Sequence, residues 1–247
     1  MAALLIARLL TQSQDAEPHN FLQGFRSMRL RKVTVVFVAM LFIGVLSPMT
    51  TTAHPNRRAG MLEVETLLSK LGYWILRADG VPDASTHHAI MAFQKVEGLK
   101  RTGTLSAADL RALRAAQRPS PRYPKAPAHV EVDLTRQVLF YVDDTATVTR
   151  ILPISSGNGK KFRDEGMWKV ANTPRGLYNV GLKVNGAKKS SLGVLYYPSY
   201  FLGGLAIHGS NSIPAFPASH GCVRVPRFAD QALFRMIKMD MQIYLYD

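Results

Sequence analysis

The side chain best suited to covalent chemistry lies near the C-terminal end, at Cys222 in the segment Ser219-His220-Gly221-Cys222-Val223-Arg224. It is the single cysteine of the chain, and two of the seven histidines, His208 and His220, precede it closely. A thiolate is a good nucleophile and a thiol a poor one, so a catalytic cysteine needs a base or a cation beside it. Gly221 permits a tight turn that would direct backbone N–H groups at a developing oxyanion. The pattern favours covalent catalysis over the alternative of a buried structural cysteine.

The elements that position this segment follow an N-terminal leader. Basic residues at 29–32 precede an apolar run at 33–46, and the small residues Thr51-Thr52-Ala53 come next. This order is that of a secretory signal peptide. We therefore expect residues 1–53 to be a leader whose signal peptide spans 28–53, with translation starting at Met28 or with a long region before the apolar run. If the leader is not cleaved, it would act as a membrane anchor.

The charge of the chain indicates where an exported protein of this kind would act. With 31 Lys and Arg against 17 Asp and Glu, the net charge is +14, which attracts anionic surfaces such as a cell wall or lipid headgroups. Export argues against nucleic acid as the partner. A lone cysteine in an oxidising compartment has no internal disulfide partner, which again favours a catalytic thiol. We expect a protein of the cell wall, the periplasm or the extracellular space.

Residues 59–117 have the pattern of three short helices joined by glycine turns. Apolar residues recur at three- and four-residue steps, Gly72 ends the first helix, Ser85 or Thr86 caps the second, and Ser106 caps the third. Adjacent helical residues point about 100° apart, so His87-His88 is interpreted as a solvated helix surface and not as a metal site. The basic residues Lys95, Lys100 and Arg101 are interpreted in the same way.

This helical segment resembles the small peptidoglycan-binding domain that accompanies many cell-wall enzymes. The resemblance depends on four groups of residues: Leu67–Gly72, Asp79-Gly80, Ala92-Phe93-Gln94 and Gly98-Leu99. That family usually has an aromatic residue and a glycine where this chain has Val81–Ser85, so binding of glycan by this copy is left open.

A proline-rich linker at 118–128 separates the helical segment from a region with a different period. Four prolines within ten residues predict an extended stretch and a domain boundary. From His129 onward apolar and polar residues alternate, and one helix is predicted from Pro226 to about Lys238. Residues 129–247 are therefore predicted to be mostly β, with antiparallel hairpins and a single helix.

Residues 129–247 resemble the L,D-transpeptidase catalytic domain, the YkuD-like family. Its signature is a histidine followed, after a variable loop, by Ser/Thr-His-Gly-Cys, an apolar residue and Asn or Arg. Here His208 and Ser219–Arg224 match it. Supporting matches lie at Val130–Leu134, Ile154–Gly157, Thr173–Gly176 and Ile207–Ser210, with Arg175 in place of a small hydroxyl residue. The resemblance implies a β-sandwich whose active site lies under a flexible lid.

The resemblance also implies a role for each residue of the motif. Cys222 would be the nucleophile and His208 the proton acceptor and donor, because imidazole titrates near neutrality. His220 would shape the site or act as the alternative base, and Ser210 would orient His208. Arg224 would bind a substrate carboxylate with its planar fork. The other predicted site residues are Gly221 beside the sulfur, Ser219, Tyr196 and Tyr197 on the substrate, and a lid within Lys183–Gly204.

The reaction implied is cross-linking of the peptidoglycan of a cell wall, without a metal or a cofactor. Cys222 would attack a carbonyl of a donor stem peptide, expel D-alanine and form a thioester, which an amine of a second stem peptide would resolve. Three alternatives remain. Water could resolve the thioester, as in an L,D-carboxypeptidase; His208, His220 and Cys222 could hold zinc; or the chain could bind the wall without catalysis.

Overall fold

Three helices open the part of the chain that the structure, a computed structural model, describes, which is residues 55–247. They are α1 (Pro55–Lys70), α2 (Ala84–Val96) and α3 (Ala107–Ala115), and a fourth, α4 (Arg227–Met236), lies near the C-terminus. The predicted leader lies outside the described residues. Within residues 55–247, no helix combines the length and the apolar character that a membrane span requires.

Twelve strands lie between α3 and the C-terminus of the described chain. Their bounds are β1 (His129–Asp133), β2 (Val138–Val142), β3 (Val148–Pro153), β4 (Lys161–Asp164), β5 (Met167–Val170), β6 (Gly176–Asn179), β7 (Leu182–Lys183), β8 (Ala187–Ser190), β9 (Gly193–Leu202), β10 (Leu205–Ser210), β11 (Val223–Pro226) and β12 (Gln242–Tyr246). The prediction of a mostly β region with one helix, placed after a helical N-terminal region, is confirmed.

Side-chain caps define where the N-terminal helices begin. Asp83 caps α2, and its carboxylate accepts the backbone N–H of Thr86 while the Thr86 hydroxyl accepts the N–H of Asp83. Ser106 and Asp109 form the same reciprocal capping box on α3. Ser106 was predicted correctly, whereas Asp83, and not Ser85 or Thr86, caps α2. The helix begins earlier than predicted because the Asp83 carboxylate, three residues before Thr86, accepts the free N–H of Thr86 in the first turn.

The strands form two mixed sheets and a separate hairpin. The first sheet has the order β3-β2-β1-β12-β6, and the second has the order β11-β10-β9-β7 with β8 added to β9. β4 and β5 pair only with each other. The predicted antiparallel hairpins are present, but β1 pairs with β12 and β10 with β11 in parallel. The parallel pair β10–β11 matters most, because it carries the two ends of the cysteine motif.

One hydrophobic core joins the two sheets and α4. Its buried residues come from the first sheet (Val130, Val132, Leu139, Leu152, Ile243, Leu245), from the second sheet (Phe201, Ile207, Val223, Val225) and from α4 (Ala229, Leu233). The second sheet, which carries the cysteine motif, is therefore fixed against the first by buried apolar surface.

A second core joins the helices to the outer face of the first sheet. Leu68 and Phe93 from the helices are buried together with Phe140 and Ile151 from β2 and β3. The backbone continues the contact, since Ile151 donates to the carbonyl of Gly72 (2.8 Å). Residues 55–247 therefore form a single compact unit, in which the helices share a core with the sheet.

Helix α2 places a lysine inside this second interface. Lys95 is 1% exposed, and its Nζ donates to the carbonyls of Gln137 (3.1 Å) and Ile154 (2.9 Å). Burial, with a smaller effect from Arg101, lowers the pKa of Lys95 to about 7. The prediction that Lys95 lies on a solvated face is wrong, because that face of α2 packs against the sheet.

The basic residues around Lys95 divide between solvent and the interface. His87 is exposed, as predicted, but His88 is half-buried and stacks on Phe228 of α4 with ring centroids 5.8 Å apart. Burial, with smaller effects from neighbouring cations, lowers the pKa of His88 to about 4. Arg101 donates to the carbonyl of Ala215 (3.2 Å) in the loop that precedes the cysteine motif. These contacts arise from tertiary packing, which cannot be predicted from the helical periodicity alone.

The proline-rich segment between the helices and the sheet has no helix or strand of its own. It is nevertheless held at both ends: Arg118 donates to the carbonyl of Val148 (2.9 Å), and the buried Glu131 carboxylate accepts the backbone N–H groups of Arg122 and Tyr123 (3.0 and 2.8 Å). The segment is fastened to the sheet, but it is not extended throughout as predicted, because the N–H of Ala126 donates to the carbonyl of Tyr123 (3.1 Å) and closes a turn.

Candidate active site

Cys222 and His208 are brought together by the parallel pairing of β10 and β11. His208 lies opposite Arg224 in this register, and Cys222 directly precedes β11. Alternate residues of a strand point to the same face, so Cys222 and Arg224 share the face on which His208 lies. All three line a cavity of about 590 Å³. The structure thus places the predicted nucleophile and the predicted base in one cavity, although thirteen residues separate them in sequence.

The loop before the cysteine is held by two hydroxyl groups. Ser219 Oγ donates to the carbonyl of Cys222 (2.6 Å) and accepts the N–H of Gly221 (3.0 Å). Thr173 Oγ1 donates to the carbonyl of Gly221 (2.7 Å) and accepts the N–H of Gly157 (2.8 Å). The Thr-Pro-x-Gly turn recognised in the sequence therefore acts as a clamp on the cysteine loop.

Gly221 is required by the backbone itself. Its φ is +130°, a region that other residues rarely adopt, and a Cβ at this position would lie 2.8 Å from the carbonyl oxygen of Asn172. The predicted tight turn is present. Its N–H, however, is directed to Ser219 Oγ and not into the cavity, so the expectation that it would hold an oxyanion is corrected.

His208 is oriented by a backbone carbonyl. The side chain is 7% exposed, and Nδ1 lies 2.8 Å from the carbonyl oxygen of Gly209. Because a carbonyl only accepts hydrogen bonds, we assign the proton to Nδ1, which leaves Nε2 as a free base. Burial lowers the pKa of His208 to about 4, against the opposing effect of the Gly209 bond and with help from the Arg224 cation.

Burial has the opposite effect on the pKa of the Cys222 thiol. It raises the pKa of Cys222, although a backbone hydrogen bond from Ala206 and the Arg224 cation oppose the shift. A raised thiol pKa and a lowered imidazole pKa make both groups neutral near pH 7. The arrangement is that of a neutral thiol beside a neutral imidazole base, and not of a preformed thiolate–imidazolium pair.

Two predicted roles for serine residues are different in the structure. Ser210 lines the cavity, but its hydroxyl shares hydrogen bonds with the backbone of Ser212 (3.3 and 3.2 Å). The carbonyl of Gly209, and not Ser210, orients His208. Ser219 lines the cavity but is 1% exposed, and both hydrogen bonds of its hydroxyl stay within the cysteine loop, so its side chain holds the loop.

The adjacent tyrosines of β9 point in different directions. Tyr196 lines the cavity, and the guanidinium carbon of Arg227 lies 3.5 Å from its ring centroid. Tyr197 has φ +50° and packs on Phe234 of α4, with ring centroids 5.7 Å apart. An extra residue in β9 opposite His208 rotates the two side chains apart. The prediction that Tyr197 contacts substrate is therefore corrected, because its ring lies on the α4 side of the sheet.

His220 lies on the wall of the same cavity, where it contacts an aromatic ring of the β4–β5 hairpin. Its ring packs on Phe162 of β4, with centroids 4.6 Å apart, and both it and Asp164 line the cavity. This placement agrees with the interpretation of His220 as a residue that shapes the site. Arg224 also lines the cavity, as the resemblance implied for a residue that binds a carboxylate.

Two hairpins close the outer side of the cavity. The predicted lid region forms β7, β8 and β9, and the turn at 190–195 lines the cavity together with Asp164 from the β4–β5 hairpin. Ser191 Oγ donates to Asp164 Oδ1 (2.6 Å), and Lys169 Nζ donates to Asp164 Oδ2 (2.8 Å). Sequence reasoning missed the β4–β5 hairpin, although Glu165-Gly166 is a turn signal that could have revealed it.

Side chains of the types that bind metal ions do not form a metal centre in the described part of the chain. Within residues 55–247, no three or more His, Cys, Asp or Glu side chains cluster in a way that could hold a metal ion.

Comparison with known proteins agrees with this architecture. The family model of the L,D-transpeptidase catalytic domain matches residues 127–245, and that of a peptidoglycan binding domain matches residues 57–113. No curated protein matches the chain significantly.

Among solved structures, an L,D-transpeptidase from Xylanimonas cellulosilytica is similar with 40% identity and a TM-score of 0.70, over 76% of this chain and 93% of that one. An L,D-transpeptidase from Stackebrandtia nassauensis has 23% identity and a TM-score of 0.46, over 76% and 90% of the two chains. The identity and coverage of the first show that the chain belongs to the L,D-transpeptidase family.

Proposed function

We propose that this protein is a cysteine L,D-transpeptidase that joins peptidoglycan stem peptides, with Cys222 as nucleophile and His208 as proton carrier. The observation that carries the proposal is the placement of Cys222 and His208 in one cavity, with Nδ1 of His208 bound to the carbonyl of Gly209. That bond leaves Nε2 without a proton and able to act as the base that nucleophilic catalysis by a thiol requires, while Sγ of Cys222 donates to the carbonyl of Gly204 (3.8 Å).

The first half-reaction begins from the neutral pair. Nε2 of His208 accepts the thiol proton as Sγ of Cys222 forms a bond to the donor carbonyl carbon, and the C=O π pair moves onto oxygen. When the oxyanion collapses, the C–N bond breaks, and the imidazolium returns its proton to the departing amine of the terminal D-amino acid. The product is a thioester on Cys222.

The second half-reaction reverses these roles. The amine of an acceptor stem peptide attacks the thioester, and Nε2 of His208 takes a proton from the attacking nitrogen. The C–S bond then breaks, and the thiolate of Cys222 recovers that proton, which regenerates the neutral pair. The new amide is the cross-link. The lowered pKa makes His208 a weaker base for the thiol and makes its imidazolium a stronger acid for the departing amine.

Arg224 supports the choice of a donor with a free carboxylate. Its guanidinium lines the cavity beside Cys222, and among the ion pairs of residues 55–247 none involves it. An unpaired planar cation beside the nucleophile fits the terminal carboxylate of a stem peptide. Binding there would set which carbonyl faces the sulfur.

A product analysis tests this proposal. The protein is incubated with a tetrapeptide stem that ends in D-alanine, and the products are weighed by mass spectrometry, with Cys222→Ala as control. We expect a dimer in which D-alanine has been lost, and no product from Cys222→Ala. Tripeptide alone would instead make the protein an L,D-carboxypeptidase, and the absence of turnover would leave a wall-binding protein.

Export to the cell wall is part of the same proposal. The predicted signal peptide at 28–53 and the net charge of +14 support it, since both suit a protein that works on an anionic wall. N-terminal sequencing of the protein from the cell exterior is expected to begin at His54. Recovery from the cytoplasm alone would contradict export.

A further inference from the structure

Tyr200 of β9 lies in the same cross-strand row as the reacting cysteine. It is paired with Ala206 of β10, and the parallel register of β10 with β11 places Ala206 level with Cys222. Paired residues of neighbouring strands present their side chains on the same face. The residue between Tyr200 and Cys222 is an alanine, so only a methyl group separates the phenol from the thiol along this row. Both Tyr200 and Cys222 line the cavity.

The electrostatics of the phenol agree with this placement. Burial raises the pKa of Tyr200, and the negative charge of a Cys222 thiolate raises it further. The phenol therefore stays protonated near pH 7 and is available as a donor. Among residues 55–247, its hydroxyl is hydrogen-bonded to no other group.

The proposed reaction needs such a donor. An oxyanion formed beside Cys222 requires hydrogen bonds directed at its oxygen, and the N–H of Gly221 is already bonded to Ser219. The N–H of Cys222 can supply one such donor, and a side chain on the cavity wall can supply a second.

We propose that Tyr200 is a catalytic residue whose phenolic O–H donates a hydrogen bond to the oxyanion formed on Cys222. This inference rests on the proposed function, because the oxyanion exists only if Cys222 attacks a carbonyl. If Tyr200 were only structural, its ring would pack in the cavity wall and its hydroxyl would have no role. The variant Tyr200→Phe distinguishes a structural from a catalytic role, because it keeps the ring and removes the hydroxyl.

Two reagents that modify the same sulfur by different chemistry provide the test. Iodoacetamide alkylates the sulfur at a saturated carbon with loss of iodide, and no oxyanion forms. A carbapenem acylates the thiol through attack on a carbonyl, and an oxyanion forms. Rates of both reactions are measured by intact mass for the wild type, for Tyr200→Phe, and for the control Tyr141→Phe, which removes a hydroxyl from β2 outside the cavity.

We expect Tyr200→Phe to slow acylation on the order of 100-fold, the usual effect of losing one oxyanion donor, with alkylation within about twofold of the wild type. An unchanged acylation rate overturns the inference. An equal loss in both reactions also overturns it, since the hydroxyl would then act on the thiol itself or on folding. Absence of acylation in the wild type contradicts the proposed function, and this inference with it.

Discussion

At the scale of single residues, burial sets the protonation of the reacting pair. It lowers the pKa of His208 to about 4 and raises that of Cys222. In the proposed mechanism the thiolate would therefore form during the attack, by proton transfer to Nε2, and would not stand ready in the free enzyme. This separates the site from cysteine enzymes whose thiolate is stabilised before substrate arrives.

The pH dependence of Cys222 alkylation follows from this protonation. Because its pKa is raised, the thiolate fraction, and hence the iodoacetamide rate, is expected to rise about tenfold per pH unit from pH 6 to 8. No plateau is expected in that range. Rates measured by intact mass test this, with a small free thiol as the reference. A rate that is already constant at pH 6 to 7 would indicate a preformed ion pair.

Thr173 is predicted to be a positioning residue for the nucleophile. Thr173→Ala removes the bonds to the Gly221 carbonyl and the Gly157 N–H, which should lower the free energy of unfolding by about 1–3 kcal/mol. We expect kcat to fall at least tenfold with little change in KM. Thr173→Ser keeps the hydroxyl and should restore most of kcat. Equal activity of the Ala and Ser variants would show that the hydroxyl does not position the loop.

The sequence predicts the candidate reacting residues more readily than the residues that hold them in place. Cys222 and His208 could be predicted because their types and their motif carry chemical information. The orientation of His208 by its neighbour's carbonyl, the internal use of Ser219, and the position of Tyr200 depend on backbone paths and strand register. None of these is contained in the spacing of residue types, so those roles could not be predicted.

At the scale of elements, the cavity wall depends on two hairpins that meet at Asp164. The β4–β5 hairpin pairs with no other strand, so its position depends on side-chain contacts such as Ser191 with Asp164. The sequence predicted a lid from 183–204 but not this second hairpin. Its strands are four residues long and mostly exposed, which leaves a weak hydrophobic pattern to recognise.

Ser191→Ala tests the contact between the hairpins. Loss of the bond to Asp164 should loosen the outer wall and raise KM for a stem peptide about fivefold, equivalent to ~1 kcal/mol, while kcat changes little. Ser120→Ala, an exposed serine of the linker, is the control. Steady-state kinetics with both variants measure this change in KM. If Ser191→Ala had the KM of the wild type, the contact between Ser191 and Asp164 would have no role in binding.

At the scale of the whole molecule, the helices and the sheet fold around a shared core. Sequence analysis predicted both regions and the linker between them, and family comparison shows both types of domain. It did not predict that Phe93 and Lys95 pack on β2 and β3, because helical periodicity marks a buried face without naming what covers it. The helical unit thus packs on the first sheet, which in turn shares a core with the sheet that carries the cysteine motif.

The buried Lys95 should make the stability of this assembly depend on pH. Its pKa is about 7 in the folded protein and near 10.5 when exposed, so the unfolded chain binds more protons between these values. Stability should therefore rise with pH from 7 to 10. We expect the wild type to gain on the order of a few kcal/mol relative to Lys95→Met over this range.

Urea unfolding at pH 7, 8.5 and 10 measures this effect, with Lys100→Met as the exposed control. The difference between the wild type and Lys100→Met should stay constant across the series. If the difference between the wild type and Lys95→Met also stays constant, Lys95 is not buried against the sheet as described.

The central claim is that Cys222 forms a thioester with the donor peptide. The most direct measurement is intact-mass analysis with peptide mapping after rapid quenching of the protein with a tetrapeptide donor in the absence of acceptor. The account predicts an adduct of the donor less D-alanine on the Cys222 peptide, removed by hydroxylamine and absent from Cys222→Ser. Turnover of the donor by Cys222→Ser at the wild-type rate, without any adduct, would contradict it.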